Sequence, residues 1–361
     1  MGSGSWFAVN FILNNINMTF PRTLHTSRPA ASFAVWLLVP VLSLPLLSSL
    51  AWGAPAAAKV EGPLACGECH KSEIEAWKTT HHFETFNKMH RETKAKEIAD
   101  KLGIRRIKSE AVCLNCHYTT KVNEDKPEVI AGISCESCHG AAQGWIKVHS
   151  DFGGSGAKKE NETPEHRAQR LTKSVAAGMI RPQDTYSVAA NCFSCHTVPQ
   201  EDIVNAGHPA GSDFELVAWL QGEVRHNFTA DLKVNAQPKP EHKRMLFVIG
   251  RLLDVEHSLR AAAKATKEGV FVSAMAKRVS TAINNLQQVQ QVAPVSELKE
   301  ILAVASAAEV KINNGPALLG AADKISALAK SFAAGNDGAK LSAVDPLLPA
   351  ADKYRGKAFQ P

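Results

Sequence analysis

The hydrophobic pattern changes character twice along the chain. Residues 29–58 contain no charged side chain, and residues 33–50 are strongly apolar. Ile74, Trp77, Phe83 and Phe86 predict helix over residues 71–101, broken near Gly103. Residues 121–130 read as a polar, proline-containing connection, and residues 143–149 as a short amphipathic piece carrying Trp145. Residues 153–173 read as a solvated loop with some helix around His166. A composition change at residues 233–243, with Pro238 and Pro240, marks a boundary.

Beyond that boundary the spacing becomes regular. Met245, Ile249, Leu252, Leu259 and Ala263 share one helical face; Val272, Met275, Val279, Ile283, Leu286 and Val289 share the next. After Pro294 come Leu298, Ile301, Leu302 and Ala305; after Pro316 come Leu319, Ala322, Ile325 and Phe332, stopping at Gly335. Four such helices with short connections predict an antiparallel bundle. The expected organisation is a leader over 1–58, a first domain over 59–232, a bundle over 244–335 and a loose tail over 336–361. The fold class is mainly α, with little regular sheet.

Arg22 and Arg28 precede the apolar leader, and Ala51, Gly53, Ala54, Ala56 and Ala58 follow it. That layout predicts a secretory signal with a late cleavage site, and Met18 is a plausible true start. A retained membrane anchor is the competing reading, because the run is long enough to span a bilayer. Pro40, Pro45 and the small-residue end favour cleavage and a periplasmic product.

The chemistry is carried by one repeated motif. Cys66-Gly-Glu-Cys69-His70, Cys113-Leu-Asn-Cys116-His117, Cys135-Glu-Ser-Cys138-His139 and Cys192-Phe-Ser-Cys195-His196 use all eight cysteines. Two thiols and an imidazole on one short turn suit covalent haem attachment: the thiols add to the haem vinyl groups and the histidine becomes an axial iron ligand. Paired Cys-x-x-Cys motifs also make zinc ribbons, but zinc gives no reason for histidine directly after every second cysteine. The expected cofactor is therefore four covalently bound haem c. Haem c is attached outside the bacterial inner membrane, which agrees with an exported chain. Aromatic content is only 6%, low for a core of side chains alone, and four apolar porphyrins would supply what is missing. The second and third motifs start close together, at 113 and 135, so their haems are expected to be neighbours.

Charge then changes the reading of partners. The formal +6 becomes +4 without Arg22 and Arg28, with 39 basic against 35 acidic residues. Haem propionates and ferric porphyrin cores bring the oxidised protein near neutrality. The basic balance is thus no argument for nucleic acid.

Candidate second axial ligands are the free histidines: His81, His82 and His90 after the first motif, His149 after the third, and His208 and His226 after the fourth. His166 reads as a surface residue, and His242 and His257 as bundle residues. Met89, Met179, Met245 and Met275 could ligate but are outnumbered by better placed histidines.

Laid out this way, residues 64 to about 230 resemble the cytochrome c-554 family of tetrahaem electron carriers linked to hydroxylamine oxidation. The resemblance rests on Cys-x-x-Cys-His-Lys71 followed by Trp77-Lys-x-Thr-x-His82, on the Gly132 to Gly140 block, and on His149 ten residues beyond His139. It implies three haems with two histidine ligands each and one open, high-spin haem on the second motif. By position, His149 would complete the Cys66/Cys69 haem, His82 the Cys192/Cys195 haem and His226 the Cys135/Cys138 haem. The Cys113/Cys116 haem would be the open one. The extra His81 leaves the choice between 81 and 82 open; His208-Pro209 has no clear counterpart and could close the remaining iron. The helical region after Lys243 also has no equivalent.

The expected function is electron transfer among closely packed haems. The expected partners are redox proteins, either another multihaem cytochrome or a membrane quinol-linked cytochrome, with membrane association possible. The alternative is an oxidoreductase acting on hydroxylamine, nitric oxide or nitrite at an open haem. Against it, no motif replaces histidine by lysine, and Tyr118, Tyr186 and Tyr354 do not suggest a tyrosine-haem crosslink.

Overall fold

The computed structural model describes residues 54–361 apart from Ser212 and residues 229–232. The leader expected over 1–58 lies outside the described residues except for its last few. Among the described residues no helix is long and apolar enough to cross a membrane.

The first half is a series of short helices. They are α1 (Pro63–Gly67), α2 (Lys71–Lys78), α3 (His81–Lys88), α4 (Thr93–Lys101) and α5 (Ala111–His117). A hairpin of β1 (Thr119–Asn123) and β2 (Lys126–Ala131) follows, then α6 (Cys135–His139), α7 (Ile146–His149), α8 (Pro164–Ala176), α9 (Thr185–His196), α10 (Glu201–Asn205) and α11 (Leu216–Leu220). The single helix expected over 71–101 is therefore three. Thr80 is the reason for the first break: its hydroxyl accepts from the Phe83 N–H at 3.2 Å, capping a new helix that starts at His81. A 3₁₀ turn over Met89–Arg91 makes the second break.

Residues 121–130, read as a connection, pair as an antiparallel hairpin from Thr119↔Ala131 to Asn123↔Lys126. Its two-residue turn holds Glu124 and Asp125 at positive φ, 47° and 63°, as a tight hairpin loop requires. The helix around His166 extends further than expected. Thr163 caps it by accepting from the His166 N–H, and Pro164 occupies its first position.

The second half contains the four expected helices, α12 (Pro240–Ala262), α13 (Val270–Val292), α14 (Ser296–Ser306) and α15 (Gly315–Gly335). They do not form a separate domain. One continuous core runs from Tyr186, Ala189, Ala190 and Phe193 of α9, through Leu216 and Val217 of α11, into the bundle. α12 packs against α13 and α15 of the bundle and also against α9 and α11. Its amphipathic stripe is consequently supplemented by buried Leu246, Phe247, Val248, Leu253 and Val255, the pattern of a helix covered all round. At Gly250 a Cβ would stand 3.0 Å from the Leu216 side chain, so glycine lets α11 approach. The division expected between 59–232 and 244–335 is a boundary in composition, not in packing.

The tail over 336–361 is likewise packed, contrary to the loose segment expected. Leu341 and Val344 are buried in the same core, and Asp345 accepts from Arg244 Nε and Nη2, each at 2.7 Å. The chain then returns to the first half. Arg355 N–H donates to the Ala218 carbonyl at 3.0 Å, and the Arg355 carbonyl accepts from Glu223 N–H at 2.8 Å. A Cβ on Gly222 would overlap the Arg355 carbonyl, so glycine is required there.

Candidate haem-binding site

Each Cys-x-x-Cys-His motif sits on a helical turn or at a helix end. Cys66 lies in α1 and His70 caps α2; Cys113 to His117 lie in α5; Cys135 to His139 form α6; Cys192 to His196 end α9. Spacing of three and four residues brings both sulfurs and the imidazole to one helix face. All eight cysteines are free thiols, standing where a haem-loaded chain would carry thioethers.

Every motif histidine faces one histidine from elsewhere in the chain. The ring centroids of His70 and His149 are 6.3 Å apart, those of His196 and His82 6.3 Å, those of His117 and His208 6.2 Å, and those of His139 and His226 6.2 Å. A metal ion bound between two imidazoles adds about 2 Å on each side, and each nitrogen lies about 1 Å from its ring centre, so the separation for shared iron is about 6 Å. The four spacings fit one iron per pair.

Backbone carbonyls orient four of these rings. Nδ1–H donates to Ile146 O from His149 (2.7 Å), to Ile180 O from His139 (3.0 Å), to Pro209 O from His208 (2.9 Å) and to Val224 O from His226 (2.7 Å). That leaves Nε2 with its lone pair for metal, the usual outer-shell device for a ligating histidine. Burial disfavours the charged form of several rings. It lowers His117 to about 4 and His196 to about 3, and it pushes His82, His139 and His149 down as well. His70, 54% exposed at its side chain, is instead raised by Glu73 beside it.

The choice between adjacent histidines is decided by helix α3. His82 turns toward His196, whereas His81 points outward and bonds Glu223 Oε2 through Nδ1 at 2.7 Å. His208, without a counterpart in the family pattern, takes the place opposite His117. The face that the resemblance left open on the second motif is thus covered by an imidazole, because the turn after α10 carries His208 over α5. His90 lies near the Tyr118 hydroxyl at 3.5 Å, His166 bonds Glu162, and His257 packs on Phe193; none of them faces a motif histidine.

The motifs also contact one another. α1, with Cys66, packs against α6, and the Cys195 thiol donates to the carbonyl of Asn115, inside motif two, at 3.8 Å. Asn191 Nδ2, one residue before Cys192, donates to the Cys138 carbonyl at 3.1 Å. The order of contact is first, third, fourth, second. The neighbours expected from sequence spacing, motifs two and three, are separated by the hairpin, and motif two meets motif four instead.

Several supporting contacts could not be read from the sequence. Glu136, inside the third motif and 1% exposed, accepts from the N–H groups of Glu61 (2.9 Å), Gly62 (2.7 Å) and Ala142 (2.7 Å). It thereby ties the approach to motif one onto motif three. Trp77 Nε1 donates to Ile133 O at 2.7 Å, and Arg170, forked onto Glu162, donates to His149 O at 2.5 Å. Phe214 stacks on His196 at 4.4 Å, and Trp219 packs against it at 4.9 Å. Trp145 Nε1, Trp219 Nε1 and Arg225 Nε are buried donors with no partner, and each residue adjoins an axial histidine by contact or in sequence. Porphyrin-sized ligands bearing carboxylates would both cover the apolar rings and answer these donors.

Repeated attachment motifs, paired imidazoles and a mainly helical frame define a c-type cytochrome. Residues 65–140, spanning the first three motifs, match the family described as cytochrome c554 and c-prime, a similarity that implies covalently bound haem c as the cofactor. The chain is 29% identical over 159 residues to cytochrome c-554 of Nitrosomonas europaea, a match covering 41% of this chain and 60% of that protein. No solved structure matches.

Proposed function

We propose that this chain is an exported electron carrier with four covalently attached haems, each held between two histidines. The observation that carries the reading is the recurrence of one geometry, an imidazole pair at 6.2 to 6.3 Å, at all four motifs. Haem bound there supplies iron that takes up and releases single electrons. The histidine pairs would hold the iron, and the carbonyl-anchored Nδ1 groups of His139, His149, His208 and His226 would keep those rings in place when the charge changes. Rings fixed in this way need little rearrangement during a charge change. Contact between motifs one and three, three and four, and four and two supports passage along the chain of sites. The leader over 1–58 supports a periplasmic location, and redox proteins are the partners that such a carrier requires.

The rival reading, catalysis on hydroxylamine, nitric oxide or nitrite, needs an iron face without a protein ligand. His208 opposite His117 argues against that at the motif where the family pattern would put it. Electron paramagnetic resonance of the oxidised, haem-loaded protein tests the proposal directly. It is expected to show low-spin haem throughout, and the reduced protein is expected not to bind carbon monoxide. His208→Ala should create one high-spin, carbon monoxide-binding haem. A high-spin haem in the unaltered protein would reinstate the enzyme reading.

A further inference from the structure

The positive charge of this chain is concentrated in one place. Residues 88–108 hold eight basic and three acidic side chains, a surplus of five. Residues 59–361 hold 39 basic and 35 acidic side chains, so outside this segment they carry 31 basic against 32 acidic, a balance of −1. The surplus is solvent-facing: Arg91, Lys96, Lys101, Arg105 and Arg106 are exposed, and none of them forms an ion pair among the described residues.

The fold wraps this segment around the second motif. It runs through α4 directly into α5, which carries Cys113 to His117. Lys94 and Lys101 bring their Nζ atoms to 3.5 and 3.6 Å from where a Cβ on Gly207 would stand, beside His208. Lys108 lies over Phe86 at 3.9 Å and over Tyr118, next to His117, at 5.5 Å. The second motif is also one end of the contact order first, third, fourth, second. An electron carrier exchanges electrons with other proteins through an end of such a path.

We propose that the basic collar of residues 88–108 is the docking surface for an acidic redox protein that exchanges electrons at the Cys113/Cys116 site. This rests on the electron-carrier reading above. Opposed charge would steer encounter and set orientation, and would make the association weaken with salt. Even with both propionates of one haem turned toward it, the collar keeps a positive surplus. An anionic bilayer is the less suitable partner. The large apolar side chains exposed among the described residues are Leu64, Val175, Val234, Val270, Val292 and Leu319, and none lies in the collar to enter a lipid interface.

The test uses the full haem-loaded chain and a reduced, acidic plant-type ferredoxin as the probe partner. Binding and the second-order electron-transfer rate are measured at low and high salt. The reversal Arg91→Glu, Lys96→Glu, Lys101→Glu is compared with Lys277→Glu, Lys324→Glu, Lys340→Glu, three exposed lysines of the helical half and tail. The collar variant should lose about tenfold or more in both quantities at low salt, and the control variant much less. Reduction by dithionite should be unchanged in both, which separates failed docking from a failed redox centre. Equal losses in the two variants would reduce the effect to net charge and overturn the proposal, as would no loss in either. Sedimentation with vesicles containing phosphatidylglycerol supplies the last arm. Collar-dependent vesicle binding with an unchanged ferredoxin rate would assign the surface to lipid and overturn the protein-docking proposal.

Discussion

Glu223 holds His81 twice: its carboxylate accepts from the His81 backbone N–H at 3.3 Å and bonds the ring Nδ1 at 2.7 Å. The carboxylate is nearly buried while the ring is exposed, so the pair is a clamp on the first turn of α3. The next residue, His82, is the one aimed at His196.

Glu223→Ala should therefore loosen His82 rather than remove it. The expected result in the haem-loaded protein is a partial high-spin signal from the Cys192/Cys195 site and a loss of about 1–3 kcal/mol of stability. His81→Ala should give a weaker form of the same change, because the backbone N–H contact remains. Unchanged spin states in both variants would show that Thr80 capping alone positions His82.

Glu136 is expected to matter more for stability. Its carboxylate answers three backbone N–H groups, two of them before motif one and one after motif three. Glu136→Ala leaves those donors without their acceptor and should cost about 3–5 kcal/mol. Denaturant unfolding of the loaded protein checks this, and Glu136→Gln should recover part of the loss.

Truncation separates the packed tail from a loose one. A chain ending at Leu348 loses the Arg355 contacts to Ala218 and Glu223 and the Phe359 carbonyl that accepts from Asn235 Nδ2 at 2.9 Å. Asn235 in turn donates to Arg225 O and accepts from Asn227 N–H, on either side of His226. The His139/His226 site should lose part of its low-spin signal. A chain ending near residue 233 should fail to fold, since Tyr186, Phe193, Leu216 and Val217 would lose their cover at about 1.5–3 kcal/mol per large side chain. A stable, spectrally intact product of that length would restore the picture of an independent bundle.

His257 gives a pH dependence whose sign can be worked out. Burial holds it down at about 3, against 6.5 for an exposed ring, so between these values the unfolded chain binds a proton that the folded chain does not. Its contribution to stability is complete above the higher value, declines as pH falls and levels off below about 3. The slope cannot exceed about 1.4 kcal/mol per pH unit for one group. His257→Leu should flatten the decline between pH 6.5 and 4 relative to the unaltered chain. Parallel curves would show that other groups govern acid unfolding.

The sequence by itself determined what short-range chemistry can write. Four attachment motifs are complete within five residues each, and the four long helices follow from spacing alone. His149, His82 and His226 were legible as partners of their motifs through the resemblance. Tertiary structure decided what depends on distant segments meeting. Thr80 and Glu223, 143 residues apart, select His82 over His81. The turn after α10 sets His208 over His117, and contacts between motif helices order the motifs differently from the chain. The bundle looked separable because amphipathic spacing reports one buried face of a helix and not the identity of what covers the others. Only when α9 and α11 close on α12 does the second half become the scaffold of the first.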